Sequence, residues 1–263
     1  MSAAAGDPMS ESADDWDEHW TDLSVSAENN PAQRFRHRLV TDMVARATPR
    51  VFLDIGSGQG DLLQMIAASD VRCDLVGLEL SSVGVALTLE KVGPRARVLQ
   101  VNLLDDEAGR LLADINADVA VCCEVLEHLD EPELFLRAAR SALAPGATLI
   151  VTVPSGPRSS FDKLIGHRRH YSQKDLRQLL ECSGFRVEET FGAGFPFFNL
   201  YRLVVVARGS KLADDVRGEK VSKLATFVMK VFGVLLKFNL PKSRWGLQIV
   251  AVATAPSATV AAQ

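Results

Sequence analysis

Asp54, Gly56, Gly58 and Gly60 alternate along Asp54-Ile55-Gly56-Ser57-Gly58-Gln59-Gly60, a spacing that can bring main chain and one carboxylate to the same ligand. Alternate glycines let a turn tighten until the backbone itself meets that ligand. The apolar run Val51-Phe52-Leu53 ahead of them suits a parallel strand covered on both faces. A dinucleotide fingerprint needs a third glycine three positions after Gly58, where Asp61 stands instead. Asp54 would also repel a pyrophosphate, whereas it could attract an ammonium group and its water. A nucleotide-like cofactor is expected, and hydride transfer is the weaker reading of it.

A second group could act on the other substrate. Glu124, Glu127 and His128 are spaced i, i+3 and i+4, which would align them on one face if the segment is helical. Further on, Lys163, His167, Arg168, Arg169 and His170 make a basic loop. Its cations could hold an anionic acceptor, and His128, His167 or His170 could remove a proton.

The elements that must position these groups alternate between strands and helices. Leu75-Val76-Gly77-Leu78-Glu79-Leu80 is a second strand ending in an acid, nineteen positions after Gly60. Val98 to Asp105 is a third, closing on Asn102 and apolar residues, and Ala117 to Cys123 a fourth. A helix is then expected from Asp130 as N-cap, with Pro132 in its first turn, to Pro145-Gly146. Ala147 to Pro154 reads as strand five, Phe185 to Phe191 as strand six and Trp245 to Ala253 as the last. Between them, Ser172 is expected to cap a helix over Lys174 to Ser183, with Asp175 three residues after the cap and Gly184 closing it.

Taken in order, the glycine turn, Glu79, Asn102, the Glu124 segment and the strand ending at Pro154 resemble the motifs of class I S-adenosylmethionine-dependent methyltransferases, with similarity to the ubiquinone-biosynthesis branch. That resemblance implies an α/β fold: a Rossmann-like, doubly wound, seven-stranded sheet with an antiparallel last strand and a helical lid or insertion. It also implies S-adenosyl-L-methionine as cofactor, contacted by Asp54, Gly56, Ser57, Gly58, Gly60, Glu79, Leu80, Asn102, Leu103 and Glu124. Glu79 would accept hydrogen bonds from the ribose hydroxyls, while Asn102 would bond the adenine and Leu103 pack on it. In such enzymes an arginine after an Asn-Pro pair meets the methionine carboxylate; Arg34 is the nearest match, with Arg36 as substitute. The Glu-x-x-Glu-His arrangement is associated there with a divalent cation, which Glu124, Glu127 and His128 would hold; the metal-free reading is preferred.

Composition sets the remaining bounds. The chain has 263 residues, 47% of them hydrophobic, enough for one full α/β core with appended segments. Its net charge of -4 argues against a nucleic-acid surface. Cys73, Cys122, Cys123 and Cys182 lack metal spacing and suit buried thiols in a reducing compartment. Residues 1–15 contain no Lys or Arg and read as a disordered cytoplasmic tail rather than a targeting peptide. The expected organisation is a methyltransferase domain over 16–253 and a tail over 254–263. Within the domain, 16–47 forms a cofactor-covering segment and 192–243 an apolar insertion.

In that insertion Lys223, Lys230 and Lys237 recur every seven residues along a helix expected over Val221 to Leu240, beside an apolar arc. The lysines argue against a membrane span. A soluble lid or dimer contact is preferred to a peripheral membrane contact. The expected activity is methyl transfer, at oxygen, to a bulky and largely apolar or lipid-linked small molecule. A non-catalytic cofactor-binding or membrane-associated protein, or less readily an NAD-dependent reductase, is the alternative.

Overall fold

The computed structural model describes residues 15–208 and 223–257. Most of the residues read above as tails, and part of the insertion, lie outside them. Two helices, α1 (Trp16–Asn29) and α2 (Pro31–Ala47), lead into β1 (Val51–Ile55). There follow α3 (Asp61–Ala67), β2 (Asp74–Glu79), α4 (Ser82–Val92), β3 (Ala96–Gln100), α5 (Ala108–Leu112) and β4 (Ala117–Cys123). Then come α6 (Pro132–Ala139), β5 (Leu143–Pro154), α7 (Ser160–Leu164), α8 (Gln173–Cys182) and β6 (Arg186–Ala193). Helices α9 (Phe197–Arg208) and α10 (Lys223–Leu235) precede β7 (Gln248–Thr254).

The seven strands are ordered β3-β2-β1-β4-β5-β7-β6. β1 pairs in parallel with both β2 and β4, while β7 lies antiparallel between β5 and β6, as the resemblance implied. Strand order therefore reverses at β1/β4, and in such sheets the crevice beyond the carboxyl ends at that point receives ligands. Side chains alternate about the sheet: Leu53 and Ile55 enter one apolar layer, Phe52 the other, with Leu63, Ile66 and Ile150. Asp54 falls in this same buried strand, 2% exposed.

Local chemistry explains several boundaries. Asn30 caps α2 by accepting from the Ala32 N–H at 2.9 Å, and Pro31 occupies the first turn. Ser172 and Asp175 form the expected capping box on α8. Two expectations need correction. Helix α6 begins after Glu131 without a side-chain cap, because Asp130 is occupied by Arg168 at 2.5 Å. The helix also ends at Ala139, and Pro145-Gly146 lies inside β5. No helix among the described residues is long and apolar enough to cross a membrane. Cys122 is buried and Cys182 exposed, and all four cysteines are free thiols.

Candidate functional site

The glycine turn is built as its spacing required. Gly56, Gly58 and Gly60 have φ of 77°, 57° and 79°, in the left-handed region that excludes most side chains. Gly56 and Ser57 N–H groups donate to the Leu78 carbonyl at 2.8 and 2.9 Å, tying the turn to β2. Glu79 at the end of β2 completes the cradle: its carboxylate accepts from the N–H groups of Gly58, Leu80 and Ser81 at 2.7, 3.0 and 2.9 Å. Burial pushes Glu79's pKa up, and these three donors oppose the shift. Asp54, deeper in the sheet and facing the charge of Glu79, is pushed up to about 7, chiefly by burial.

Helix α1 lies across this turn. A Cβ on Gly58 would come within 2.6 Å of the Trp20 ring. Asp17 accepts from the Ser81 and Ser82 hydroxyls at 2.5 and 3.0 Å and from the Val83 N–H at 3.3 Å, latching α1 to the start of α4. Trp20 Nε1, Ser57 Oγ and Gln59 Oε1 are buried without a hydrogen-bond partner among the described residues. Native interiors rarely leave such atoms unpaired, and three of them beside a glycine cradle fit a polar cofactor.

Glu124 and Glu127 do not share a helical face. Glu124 has a φ of 57°, and only Leu126–His128 form a short 3-10 turn. Glu124 is instead held by Thr152 Oγ1 at 3.1 Å and Gln248 Nε2 at 2.7 Å, and faces Arg36 Nε at 3.6 Å. Arg36 thus lies inward, whereas Arg34 is on the exposed side of α2.

Glu127 turns the other way, fully buried, with both carboxylate oxygens unpartnered. Beside it His128 Nδ1 is also orphaned, and His167 Nε2 stands 4.0 Å from Glu127 Oε1. One ligand atom each from Glu127, His128 and His167 lies within 4.8 Å of the others. A carboxylate and two imidazoles suit a divalent transition metal, and the orphaned atoms fit one; His167 replaces Glu124 in the set read from the sequence.

Tautomers in this cluster follow from the hydrogen bonds. His170 Nδ1 meets the Gly156 carbonyl at 2.9 Å and must donate to it. Neutral His170 then accepts at Nε2 from His167 Nδ1, 3.1 Å away, which leaves a lone pair on His167 Nε2 directed toward Glu127. Neutrality is secured by burial, which lowers the pKa of all three histidines; for His128 it falls to about 3. Burial also pushes Glu127 well above the ordinary carboxylate range, reinforced by the charge of Glu124.

Several expected roles change. Arg168 donates to the His128 carbonyl at 2.5 Å and pairs with Asp130, while Arg169 donates to the Asp130 carbonyl at 3.0 Å. Both brace the loop instead of presenting free charge. Leu103 is 4% exposed and belongs to the core, so Leu80, which is open, is the better placed to lie against a base. Asn102 closes its own turn, accepting from Leu104 N and donating to Asp105 Oδ1. The sequence reading missed Asp17, Trp20 and Arg202. Trp16, His19 and Trp20 at i, i+3 and i+4 were a usable signal for α1. Arg202, which forks onto Asp162 at 2.8 and 3.0 Å, had none.

Comparison with known proteins agrees with this architecture. Residues 27–190 match a family described as a methyltransferase domain. A probable S-adenosylmethionine-dependent methyltransferase of Mycolicibacterium smegmatis is 31% identical over 163 residues, covering 60% of each chain. The chain thus spans about 60% of that relative's length. A ubiquinone biosynthesis O-methyltransferase of Aeromonas salmonicida is 23% identical over 180 residues, 62% of this chain and 75% of its own. Among solved structures, the cyclase SpnF superimposes with a TM-score of 0.63 at 20% identity, covering 97% of this chain and 100% of its own. At that identity the likeness concerns the fold, which hosts more than one chemistry.

Proposed function

This chain belongs to the methyltransferase-domain family, and from that premise we propose that it transfers the methyl group of S-adenosylmethionine to an oxygen of a bulky, largely apolar small-molecule acceptor. The cofactor, when bound, supplies a methyl already activated on a sulfonium. The protein's task is then to align the acceptor and exclude water. Glu79 would receive the ribose hydroxyls, Asp54 the ammonium group, and Arg36, in place of Arg34, the carboxylate. The acidic net charge of -4 supports a small molecule over a nucleic acid.

The observation that carries the acceptor side is the orphaned Glu127 carboxylate beside His128 Nδ1 and the His167 lone pair. An attacking hydroxyl must lose its proton, and the neutral His167 imidazole offers it a fixed lone pair, a base that burial weakens. The same orphaned carboxylate favours a second reading, in which these three residues hold a divalent cation that stabilises the acceptor oxyanion.

Incubation with labelled cofactor and cell extract, followed by mass spectrometry, tests the proposal. A cofactor-dependent gain of one methylene mass on an apolar hydroxylated metabolite is expected, and cofactor binding with no methylated product would refute it. Chelation followed by Mn²⁺ addition separates the two acceptor-side readings: activity that survives chelation requires the metal-free one.

A further inference from the structure

Residues 195–208 and 223–247 contain seven Lys and Arg and no Asp or Glu, in a chain whose net charge is -4. The structure shows how these residues are displayed. On α9 and the residue before it, the exposed positions are Pro196, Leu200, Leu203 and Ala207, spaced to form one wholly apolar face. Phe198 and Val205 point inward on the opposite side. Among the described side chains of α10 and the turn after it, Lys230, Val231, Val234, Lys237 and Phe238 are exposed, while Phe232 and Leu236 are buried. Among the described side chains the apolar arc is therefore divided between core and solvent, with Lys230 and Lys237 beside its exposed part.

The segments that carry these positions adjoin, and the rings of Tyr201 and Phe232 pack between the two helices. Leu240 N–H donates to the Phe195 carbonyl at 2.8 Å, and Asn239 accepts from the N–H of Phe197 at 2.9 Å. The Trp245 ring lies 5.3 Å from that of Phe195, with Arg244 stacked over it at 4.6 Å. Exposure is high for groups this large: Phe238 69%, Leu203 63% and Trp245 56%. Single exposed apolar side chains are ordinary, but a rimmed cluster marks an interaction site.

Charge selects the occupant. None of Lys230, Lys237 and Arg244 pairs with a carboxylate among the described residues. A second copy docking face to face would set lysines against lysines. Lysines beside Trp, Phe and Leu on one helical face match a bilayer interface bearing negative headgroups.

We propose that this face docks peripherally on a membrane containing anionic lipid, with Leu203, Val234, Phe238 and Trp245 entering the interface and Lys230 and Lys237 at the headgroups. Helix α9 also carries Arg202, whose fork onto Asp162 ties the docking face to the loop of His167. The proposal does not depend on methyl transfer, and its test uses neither cofactor nor acceptor.

The full chain is sedimented with vesicles of phosphatidylcholine alone and with vesicles in which about a third of the lipid is phosphatidylglycerol. Binding is expected to the anionic vesicles only and to weaken with salt. Lys230→Gln and Lys237→Gln should each lower partitioning about fivefold. Phe238→Ser with Trp245→Ser should lower it without shifting the melting temperature, which checks that the variant is folded. Equal binding to both vesicles, no binding, indifference to these substitutions, or a dimer in sedimentation that the same variants dissociate would overturn the proposal.

Discussion

Two buried glutamates follow β2 and β4, the strands that flank β1, and the protein treats them oppositely. Glu79 is met by three backbone N–H groups of the turns around it, which offset part of the burial penalty on its charge before any ligand arrives. Glu127 has no hydrogen-bond partner for either oxygen among the described residues, and its charged form is disfavoured until something else supplies a proton, a cation or a donor. The first glutamate therefore belongs to the architecture of the turn, and the second keeps unmet hydrogen-bonding capacity among the described residues. On the proposed reading, the cofactor side is held in place by the backbone, while the acceptor side depends on what enters.

The largest expected effect tests the preformed side. Gly58→Val places a Cβ about 2.6 Å from Trp20 at a φ of 57°, so cofactor affinity by calorimetry should fall at least about 100-fold, while the strain itself costs only about 1–2 kcal/mol of stability. Retained binding would remove the glycine turn from the cofactor site.

Next in size is the pair Glu127→Gln and Glu79→Gln. Glu127→Gln should cut turnover by about 100-fold with an unchanged or raised melting temperature, because it removes a disfavoured buried charge. Glu79→Gln should instead destabilise by about 1–3 kcal/mol, since an amide N–H would face backbone donors. The contrast between the two glutamates fails if Glu127→Gln proves the more destabilising.

Stability against pH gives a smaller signal of the same contrast. Burial lowers His128 from 6.5 to about 3 and His37 from 6.5 to about 4. The unfolded chain therefore binds more protons below 6.5, and stability should be full above that pH and decline as pH falls through the window down to those folded values. Glu127 works in the other direction. Its raised pKa costs stability as pH rises above 4.5, so Glu127→Gln should flatten the neutral side of the denaturation profile and leave the acid limb intact. A loss of the acid limb in that variant would mean that the histidines are not its source.

The smallest effect concerns the latch. Asp17→Ala removes the acceptor shared by Ser81, Ser82 and Val83. Cofactor dissociation by stopped-flow should quicken about fivefold, and an unchanged rate would show that α1 does not gate the turn.

What was legible follows from how far each group lies from its partners along the chain. Gly56, Gly58, Gly60 and Glu79 could be read because strand-turn-helix chemistry is local: φ above zero demands glycine, and a buried strand demands apolar runs. The capping box of Ser172 and Asp175 was legible for the same reason. Glu124 was misplaced because the sequence spacing assumed a helix, whereas Thr152, Gln248 and Arg36 converge on it from three other elements. Arg168 and Arg169 read as free charge because nothing nearby in sequence announced Asp130 and the His128 carbonyl as their partners.

By itself, then, the sequence determined the α/β alternation and the glycine turn, since these rest on backbone conformation and side-chain periodicity within one βαβ unit. Only the tertiary structure decided that Glu127 would be orphaned, that His167 would face it with a free lone pair, and that Val231, Val234 and Phe238 beside Lys230 and Lys237 would remain in solvent. Those outcomes depend on which surfaces are buried when distant segments pack, and desolvation at a contact is a property of the packed molecule rather than of either segment.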